Sequence, residues 1–525
     1  MRILWYTVCM KNTSKTPENI EDLKNRIVQL EILVKHYEHQ LLSLKRKQFG
    51  TSSEKSGTDI NQLNLFGNEA PVSPPDDIYE ITYKRRKKAG KREEDLSGLP
   101  VERIDYELSE SERACPECGE TMRDTGVLIR KELKLIPAKV VVMEHAAHSY
   151  ACRNCEQNNI KVPFVKAESP KALISGSLAS PSLVAHIAVQ KYANGMPLYR
   201  LEKGFRYEGA NISRQNMANW VIACSERYLE CIYELLKRHL LDETVLHADE
   251  TTVQVLREPG RKPQSKSYEW IYRTGTGAKR KITVYDYKET RSQEHPKTFL
   301  NGFKGLLHTD GYQVYHNLPA EITVVGCWAH VRRKFEAVVK TIPEQKRKTS
   351  DAACGMAYIN ALFSFERSFE NLTPGERHQK RLEQSKPVSD AFFAWAKNLG
   401  SLPKTPLGEA SGYALSQRKF LENVFINGRA DISNNRAERA VKPFVMGRKA
   451  WLFSCTPAGA KASSVMYSII ETAKDNGLHP YCYMEYLLEK LPGVKTSEIE
   501  SLLPWCKTLP QSCYAPIKLK EKKNG

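Results

Sequence analysis

The chain has 525 residues, with 79 Lys and Arg against 61 Asp and Glu and a formal net charge of +18. That length exceeds one typical domain several-fold, so two or more packed units plus linkers are expected, and the basic balance favours a polyanionic partner through counterion release, nucleic acid ahead of an anionic membrane surface. No apolar run reaches the roughly 18 to 20 residues of a membrane span, and the opening MRILWYTVCM is too short for a signal-peptide core, which predicts a cytoplasmic, soluble protein with no membrane partner.

From Ile20 the apolar residues Ile20, Leu23, Ile27, Leu30, Val34, Tyr37, Leu41 and Leu44 step by three and four, the a/d seam of a heptad repeat. A stripe of that kind has nowhere to be buried within its own helix. The spacing predicts a coiled coil over 18–50 that pairs two subunits; an amphipathic helix docked on its own protein is the alternative. Residues 51–98 are rich in Ser, Gly, Pro and Asn and end in the basic run Lys84, Arg85, Arg86, Lys87, Lys88. They read as a flexible linker whose cations could grip backbone phosphates without reading sequence.

Thirteen cysteines make a disulfide framework unexpected in a chain with no export signal. Four of them form two tight pairs, Cys115-Pro-Glu-Cys118 and Cys152-Arg-Asn-Cys155, with period-two alternation between them from Leu133 through Val142. Two such pairs supply four thiolates for a tetrahedral structural Zn²⁺ site, brought together by the intervening strands, so 99–158 is expected to be a zinc-binding module. Unrelated buried or redox thiols are the other reading. Residues 170–240 have a helical pattern. A segment at Leu198 to Tyr207, the turn-like Glu208-Gly-Ala-Asn211, and Ser213 as N-cap before Arg214, Gln215 and Asn216 satisfy what a DNA-binding helix-turn-helix needs, and equally what two ordinary packed helices need.

Residues 241–475 carry the chemistry. Val245 to Asp249 reads as a buried strand ending at Asp249, Trp270 to Arg273 and Ile282 to Tyr287 as two more joined through the turn Thr274 to Gly277, Thr298 to Phe303 as a helix, Gly305 to Asp310 as a strand ending at Asp310, and Ile322 to Cys327 as a fifth. Three strands, a crossover and two more is the order of an RNase H-like sheet. Period two puts His247 on the face of Asp249 and His308 on the face of Asp310, and hydrogen-bonded core histidines are expected at both. Asp431-Ile-Ser-Asn-Asn-Arg-Ala-Glu438 opens another helix, with Ser433 as its expected N-cap, Asn434, Glu438 and Lys442 on one face, and Pro443 ending or kinking it.

Two strand-end Asp residues and a helix Glu can hold two Mg²⁺ (or Mn²⁺) ions about 4 Å apart, the arrangement that phosphodiester cleavage needs. Asp249, Asp310 and Glu438 are therefore the expected catalytic and metal-binding carboxylates. His330, Arg332 and Arg333 after the fifth strand, with Asn434, Arg439 and Lys442 around Glu438, are expected to contact DNA, the cations through phosphate oxygens. Alone, any of these basic residues is as readily a solvated helix surface.

The stretches RKQFGTSSEK, CPECG to YACRNC, KYANGMPLYR, HADETTVQVL, LHTDGYQVY, GCWAHVRRKF, NNRAERAVKPFVMGRKAWLFS and IIETAKDNGLHP resemble the insertion-sequence 66 family of bacterial DDE transposases over nearly the whole chain. The resemblance implies a multidomain α/β protein. It would have a leucine zipper, a zinc-binding module, a helical DNA-binding region, and an RNase H-like (retroviral-integrase-type) core with a helical insertion at about 335–421, followed by a C-terminal helical region and basic tail over 476–525. It places the triad on Asp249, Asp310 and Glu438. It further implies double-stranded DNA partners (the element's terminal repeats and a target), a homodimer or larger synaptic complex at the nucleoid, and small accessory proteins encoded by the same element. One departure is Ser433, where the family commonly has Asp. Two rival readings are a catalytically inactive DNA-binding repressor derived from a transposase and a metal-dependent nuclease without strand transfer.

Overall fold

The structure is a computed structural model; it describes residues 138–151 and 164–516, with Val101, Arg103, Glu120, Thr121, Leu133, Arg153 and Gln157 besides. The expected coiled coil, the linker and the four paired cysteines lie outside the described residues. No helix among the described residues is long and apolar enough to cross a membrane. Residues 230–472 form one compact unit, and the described residues on either side of it belong to a second.

In the second unit, β1 (Ser149–Ala151) pairs antiparallel with β2 (Phe164–Lys166). The run Val140 to Val142, expected from its alternation to be a strand, forms none. Its side chains are exposed, so the alternation has no packed face to oppose. Three helices follow, α1 (Pro181–Tyr192), α2 (Leu198–Tyr207) and α3 (Arg214–Cys224). Ser180 and Ser213 cap α1 and α3, each accepting the backbone N–H three residues on at 3.2 Å. Between α2 and α3 the chain reverses at Gly209, whose φ of +82° a side chain would resist. Leu201 and Phe205 of α2 and Met217, Trp220 and Val221 of α3 are buried, leaving Arg214, Gln215 and Asn216 exposed on the first turn of α3.

The larger unit starts with α4 (Glu230–Leu241) and builds one mixed sheet from β3 (Val245–Gln254), β4 (Lys266–Thr274), β5 (Thr283–Lys288), β6 (Gly305–His308) and β7 (Ile322–Val325), with α5 (Glu294–Phe299) in the crossover. The order is β5-β4-β3-β6-β7. β3, β4 and β5 are antiparallel neighbours, while β6 and β7 run parallel to β3. Two expectations shift. The strand expected to end at Asp249 continues to Gln254, because its ladder with β4 persists to Gln254 opposite Lys266, whereas the parallel ladder with β6 stops at His247 opposite His308. The crossover helix expected to run through Phe303 ends at Phe299, ahead of Asn301 and a Gly302 at φ +89°.

Both sheet edges are covered. On the β5 side, Thr472 Oγ1 and Ser468 Oγ accept the N–H groups of Thr283 (3.1 Å) and Tyr285 (2.9 Å). Four helical residues rise about 6 Å, close to the roughly 6.6 Å of two strand residues, so hydroxyls at i and i+4 match alternate amides of an edge strand. On the β7 side, Gly326 N–H bonds Phe420 O and Asn423 Nδ2 donates to Val324 O. Edges satisfied this way cannot template pairing with another chain.

Helices fill the span after β7: α6 (Trp328–Thr341), α7 (Asp351–Ser368), α8 (Pro374–Lys380), α9 (Lys386–Asn398) and α10 (Pro406–Ser416). They begin at Trp328, since the chain leaves the sheet straight into a helix whose first residue is fully buried. One apolar cluster joins Val245, Leu306 and Val325 of the sheet to Trp328, Phe335, Leu362, Phe392 and Phe393. The helical block is thus continuous with the core of the sheet. Arg381, buried in this block, pairs bidentately with Glu366 and donates to the carbonyls of Val424, Asn427 and Ala430. The unit closes with α11 (Asn435–Trp451) and α12 (Pro457–Asp475). Pro443 neither ends nor breaks α11, which continues for two further turns. In the second unit again, α13 (Pro480–Lys490) packs on α1, and Tyr483 Oη donates to Leu502 O.

Candidate active site

The register of β3 against β6 is the foundation. His247 and His308 are Cα partners on parallel neighbours, so Asp249 and Asp310, each two residues further, emerge side by side where the parallel ladder ends. The two imidazoles stack at 4.5 Å between centroids and 16° between planes, both fully buried. They are core histidines with hydrogen bonds, as expected from the sequence. His308 Nε2 accepts Asp431 N–H at 3.0 Å, and burial, then the neighbouring His247, holds His308 well below the usual histidine range. His247 instead faces Asp431 Oδ2 (2.8 Å) and Asn434 Oδ1 (2.9 Å), and Asn434 is oriented by its Nδ2 donating to Ala248 O at 2.8 Å. Burial pushes the Asp431 carboxyl up, but His247, His308 and the Thr276 hydroxyl more than offset that and hold it below the usual carboxylate range.

Asp431 and Asn434 thereby fasten the approach to α11 onto β3 and β6 where their parallel ladder ends, and Glu438 follows on the first turn of α11. Ser433 is not the cap. Asn434 holds that position, its N–H donated to Cys327 Sγ at 3.1 Å, and its side chain is turned to the sheet instead of to the helix amides. Asp431 and Cys327 were not singled out from the sequence. Asp431 stood in the quoted motif, but nothing local distinguishes a residue that tethers two histidines from an ordinary turn aspartate.

Asp249 and Asp310 accept backbone N–H groups, from Glu250 (2.8 Å) and Tyr312 (3.0 Å), and have no cationic partner among the described residues. Burial, then the Glu250 and Asp310 carboxylates, push the Asp249 carboxyl up to about 8. Gly311 permits the turn at Asp310, because a Cβ there would lie 2.6 Å from Tyr413 Oη of α10. Glu250 points the other way, into a salt bridge with Arg291 and a 2.7 Å hydrogen bond from Tyr315 Oη. Arg291 in turn lies 3.4 Å over the Tyr312 ring, which ties the Asp310 turn to β3.

Glu438 faces α6. Arg333 donates to its carboxylate and His330 Nε2 stands 3.8 Å from Oε1. Arg332 is directed elsewhere, to Asn360 (2.9 Å) and Glu336 (3.1 Å). Arg439 and Lys442 are exposed on α11, whereas Asn434 is fully buried and shares no solvent-facing surface with them. The carboxyls of Asp310 and Glu438 lie close enough to Asp249 to raise its proton affinity. Two carboxyls without counter-cations beside a third fit a hard divalent ion of the Mg²⁺ class, which takes oxygen donors.

The family model described as Transposase IS66 family matches residues 176–462. The chain belongs to the IS66 transposase family. Further models match around that one: the zinc-finger binding domain of transposase IS66 over 112–156, which contains all four paired cysteines, the IS66 C-terminal element over 468–505, and Transposase C of IS166 homeodomain over 36–104. Among curated relatives in Sinorhizobium fredii (strain NBRC 101917 / NGR234), the chain is 30% identical to the protein named y4qI over 88% of this chain and 87% of that one, and 27% identical to y4jD over 93% and 96%. A solved structure, the Drosophila P element transposase strand transfer complex, aligns at a TM-score of 0.34 and 12% identity, over 56% of this chain and 92% of that one. At that level the likeness specifies neither a shared fold nor a shared site.

Proposed function

We propose that this family member is a DDE transposase that binds the ends of its insertion sequence and performs metal-dependent DNA cleavage and strand transfer through Asp249, Asp310 and Glu438. One observation carries the reading: the pairing of His247 with His308 sets two carboxyls without counter-cations side by side, and Asp431 and Asn434 lash the helix bearing the third carboxylate to those same histidines. The strand order β5-β4-β3-β6-β7, with three antiparallel and two parallel members, supports an RNase H-like core interrupted by the helical block.

The three carboxylates bind and space the metal. When bound, a pair of Mg²⁺ or Mn²⁺ ions activates the attacking hydroxyl and stabilises the leaving oxygen. His247, His308, Asp431 and Asn434 hold the ligands in register as outer-shell partners. Arg333, paired with Glu438 here, would be available to a phosphate oxygen if that carboxylate held a metal. Arg439 and Lys442, together with Arg214, Gln215 and Asn216 on the other unit, are the proposed DNA contacts. His330 and Arg332 lie on α6 nearby. The match over 112–156 supports structural Zn²⁺ at Cys115, Cys118, Cys152 and Cys155, and the need to hold two element ends supports a dimer or larger complex.

The test is incubation of the purified protein with end-bearing DNA, Mg²⁺ and a target plasmid, for the parent and for Asp249→Asn, Asp310→Asn and Glu438→Gln. Each substitution is expected to cost more than the roughly 10- to 100-fold of an outer-shell change in cleavage and joining alike, with end binding retained. Parental rates in Glu438→Gln would remove Glu438 from the triad.

A further inference from the structure

We propose that Cys327, His330 and Glu438 form a second, chemically distinct metal site, one that takes a single thiophilic divalent ion of the zinc or cadmium class and shares only Glu438 with the carboxylate site. Its effect on activity rests on the reading of Glu438 as the third carboxylate; the site itself does not.

The Cys327 thiol, a His330 ring nitrogen and a Glu438 carboxylate oxygen lie within 4.8 Å of one another, the group of metal-ligating side chains that stands out among the described residues. Cys327 is the residue before α6 and His330 is in its first turn, so the Cys-x-x-His spacing sets both on one side of the helix start, facing the first turn of α11. His330 Nδ1 is buried without a hydrogen-bond partner, and Nε2 is 3.8 Å from Glu438 Oε1 without forming one. The buried nitrogen of this imidazole has no protein partner, and the other faces the Glu438 carboxylate.

Metal bonds of about 2.3 Å to sulfur and about 2.0 to 2.2 Å to nitrogen and oxygen place tetrahedral ligands some 3.3 to 3.8 Å apart. Closing from the observed spacing takes about an ångström of side-chain adjustment. The His330 and Glu438 side chains, each 26% exposed, leave the fourth position open to water. Sulfur and imidazole donors select the zinc class, while the all-oxygen carboxylate site selects Mg²⁺. As the sulfur–metal bond forms the thiol proton passes to solvent, and Arg333 gives up the Glu438 carboxylate. Glu438 drawn toward α6 is withdrawn from Asp249 and Asp310, so the ion arrests cleavage.

The experiment titrates Cd²⁺ into the full-length protein, its zinc-finger segment intact, and records the ultraviolet thiolate-to-cadmium absorption and bound stoichiometry for the parent, Cys327→Ser and His330→Gln. Thermal unfolding of each variant reports whether it is folded. The parent is expected to bind one Cd²⁺ more than Cys327→Ser, and to bind it more tightly than His330→Gln by roughly tenfold or more. His330→Gln leaves the buried Cys327 contact with Asn434 intact and decides the matter should Cys327→Ser fail to fold. Equal absorption and affinity in the parent and the folded variants would overturn the proposal. In parallel, cleavage at fixed Mg²⁺ is followed as Cd²⁺ rises, each protein against its own Cd²⁺-free rate. Inhibition of the parent at Cd²⁺ concentrations the variants tolerate supports the site and its consequence. Cd²⁺ bound at Cys327 with cleavage undiminished leaves the site standing and counts against Glu438 as the third carboxylate.

Discussion

Asp249 sits among carboxyls without a cation to balance it, and the consequence is thermodynamic. Its carboxyl, raised from 3.8 to about 8, binds its proton more tightly folded than unfolded. The stability this contributes is complete below about pH 4 and is lost as pH rises toward 8. At about 1.4 kcal/mol per unit, discounted for partial exposure, the strain at pH 8 amounts to at most a few kcal/mol. Asp249→Asn carries no charge to bury. Without Mg²⁺, its thermal midpoint at pH 8 is expected above that of the parent, the gap closing toward pH 5. Added Mg²⁺ should then raise the parent's midpoint and leave that of the variant nearly unchanged. A variant no more stable than the parent at pH 8 would show that Asp249 is not strained in the folded protein.

At the scale of elements, Glu438, the proposed third carboxylate, is placed by contacts between segments far apart in the chain. Asn434 bonds His247 and Ala248 of β3, while its N–H meets Cys327 beside α6. Asn434→Ala removes the amide and keeps the helix, so the expected outcome is a loss of about 10- to 100-fold in metal affinity, read as a raised Mg²⁺ requirement for cleavage with the maximal rate less affected. An unchanged Mg²⁺ requirement would confine Asn434 to packing. Arg381 acts one step further back. It grips Glu366 and the carbonyls of Val424, Asn427 and Ala430, the stretch that leads directly into Asp431. Arg381→Met would strand a carboxylate and three carbonyls, two of them buried, and breaking a buried pair from one side costs about 3 to 5 kcal/mol. Denaturant unfolding should show that loss; a change under about 1 kcal/mol would mean the clamp is solvated in the folded protein.

For the whole molecule, the heptad seam of 18–50 and the +18 charge make assembly on DNA the matter to test. Leu30→Glu with Val34→Glu puts charges into adjacent seam positions and is expected to lower the mass found by sedimentation. End binding by the separated chains should persist, because the charge that drives it is spread along the chain, and should keep a steep salt dependence. An unchanged mass would exclude this segment as the subunit contact.

The sequence by itself located the five strands of the larger sheet and the Ser213 cap, and it nominated Asp249, Asp310 and Glu438 as candidates. Val245 to Asp249 and Gly305 to Asp310 announce themselves because strand alternation and burial are local properties of consecutive side chains, and Ser213 caps α3 because a cap needs only an amide three residues away. Even locally, pattern overreached where a partner strand or a glycine decides the end: β3 outran Asp249, α5 stopped before Asn301, and α11 passed through Pro443. Only the tertiary structure decided that His247 stacks on His308, that Asp431 and Asn434 bond His247 from 184 and 187 residues away, and that Cys327, His330 and Glu438 gather within 4.8 Å. Such ties depend on strand register and on the packing of the helical block, which set which distant side chains meet, and hydrogen bonds between them leave no periodic mark on the segments that make them.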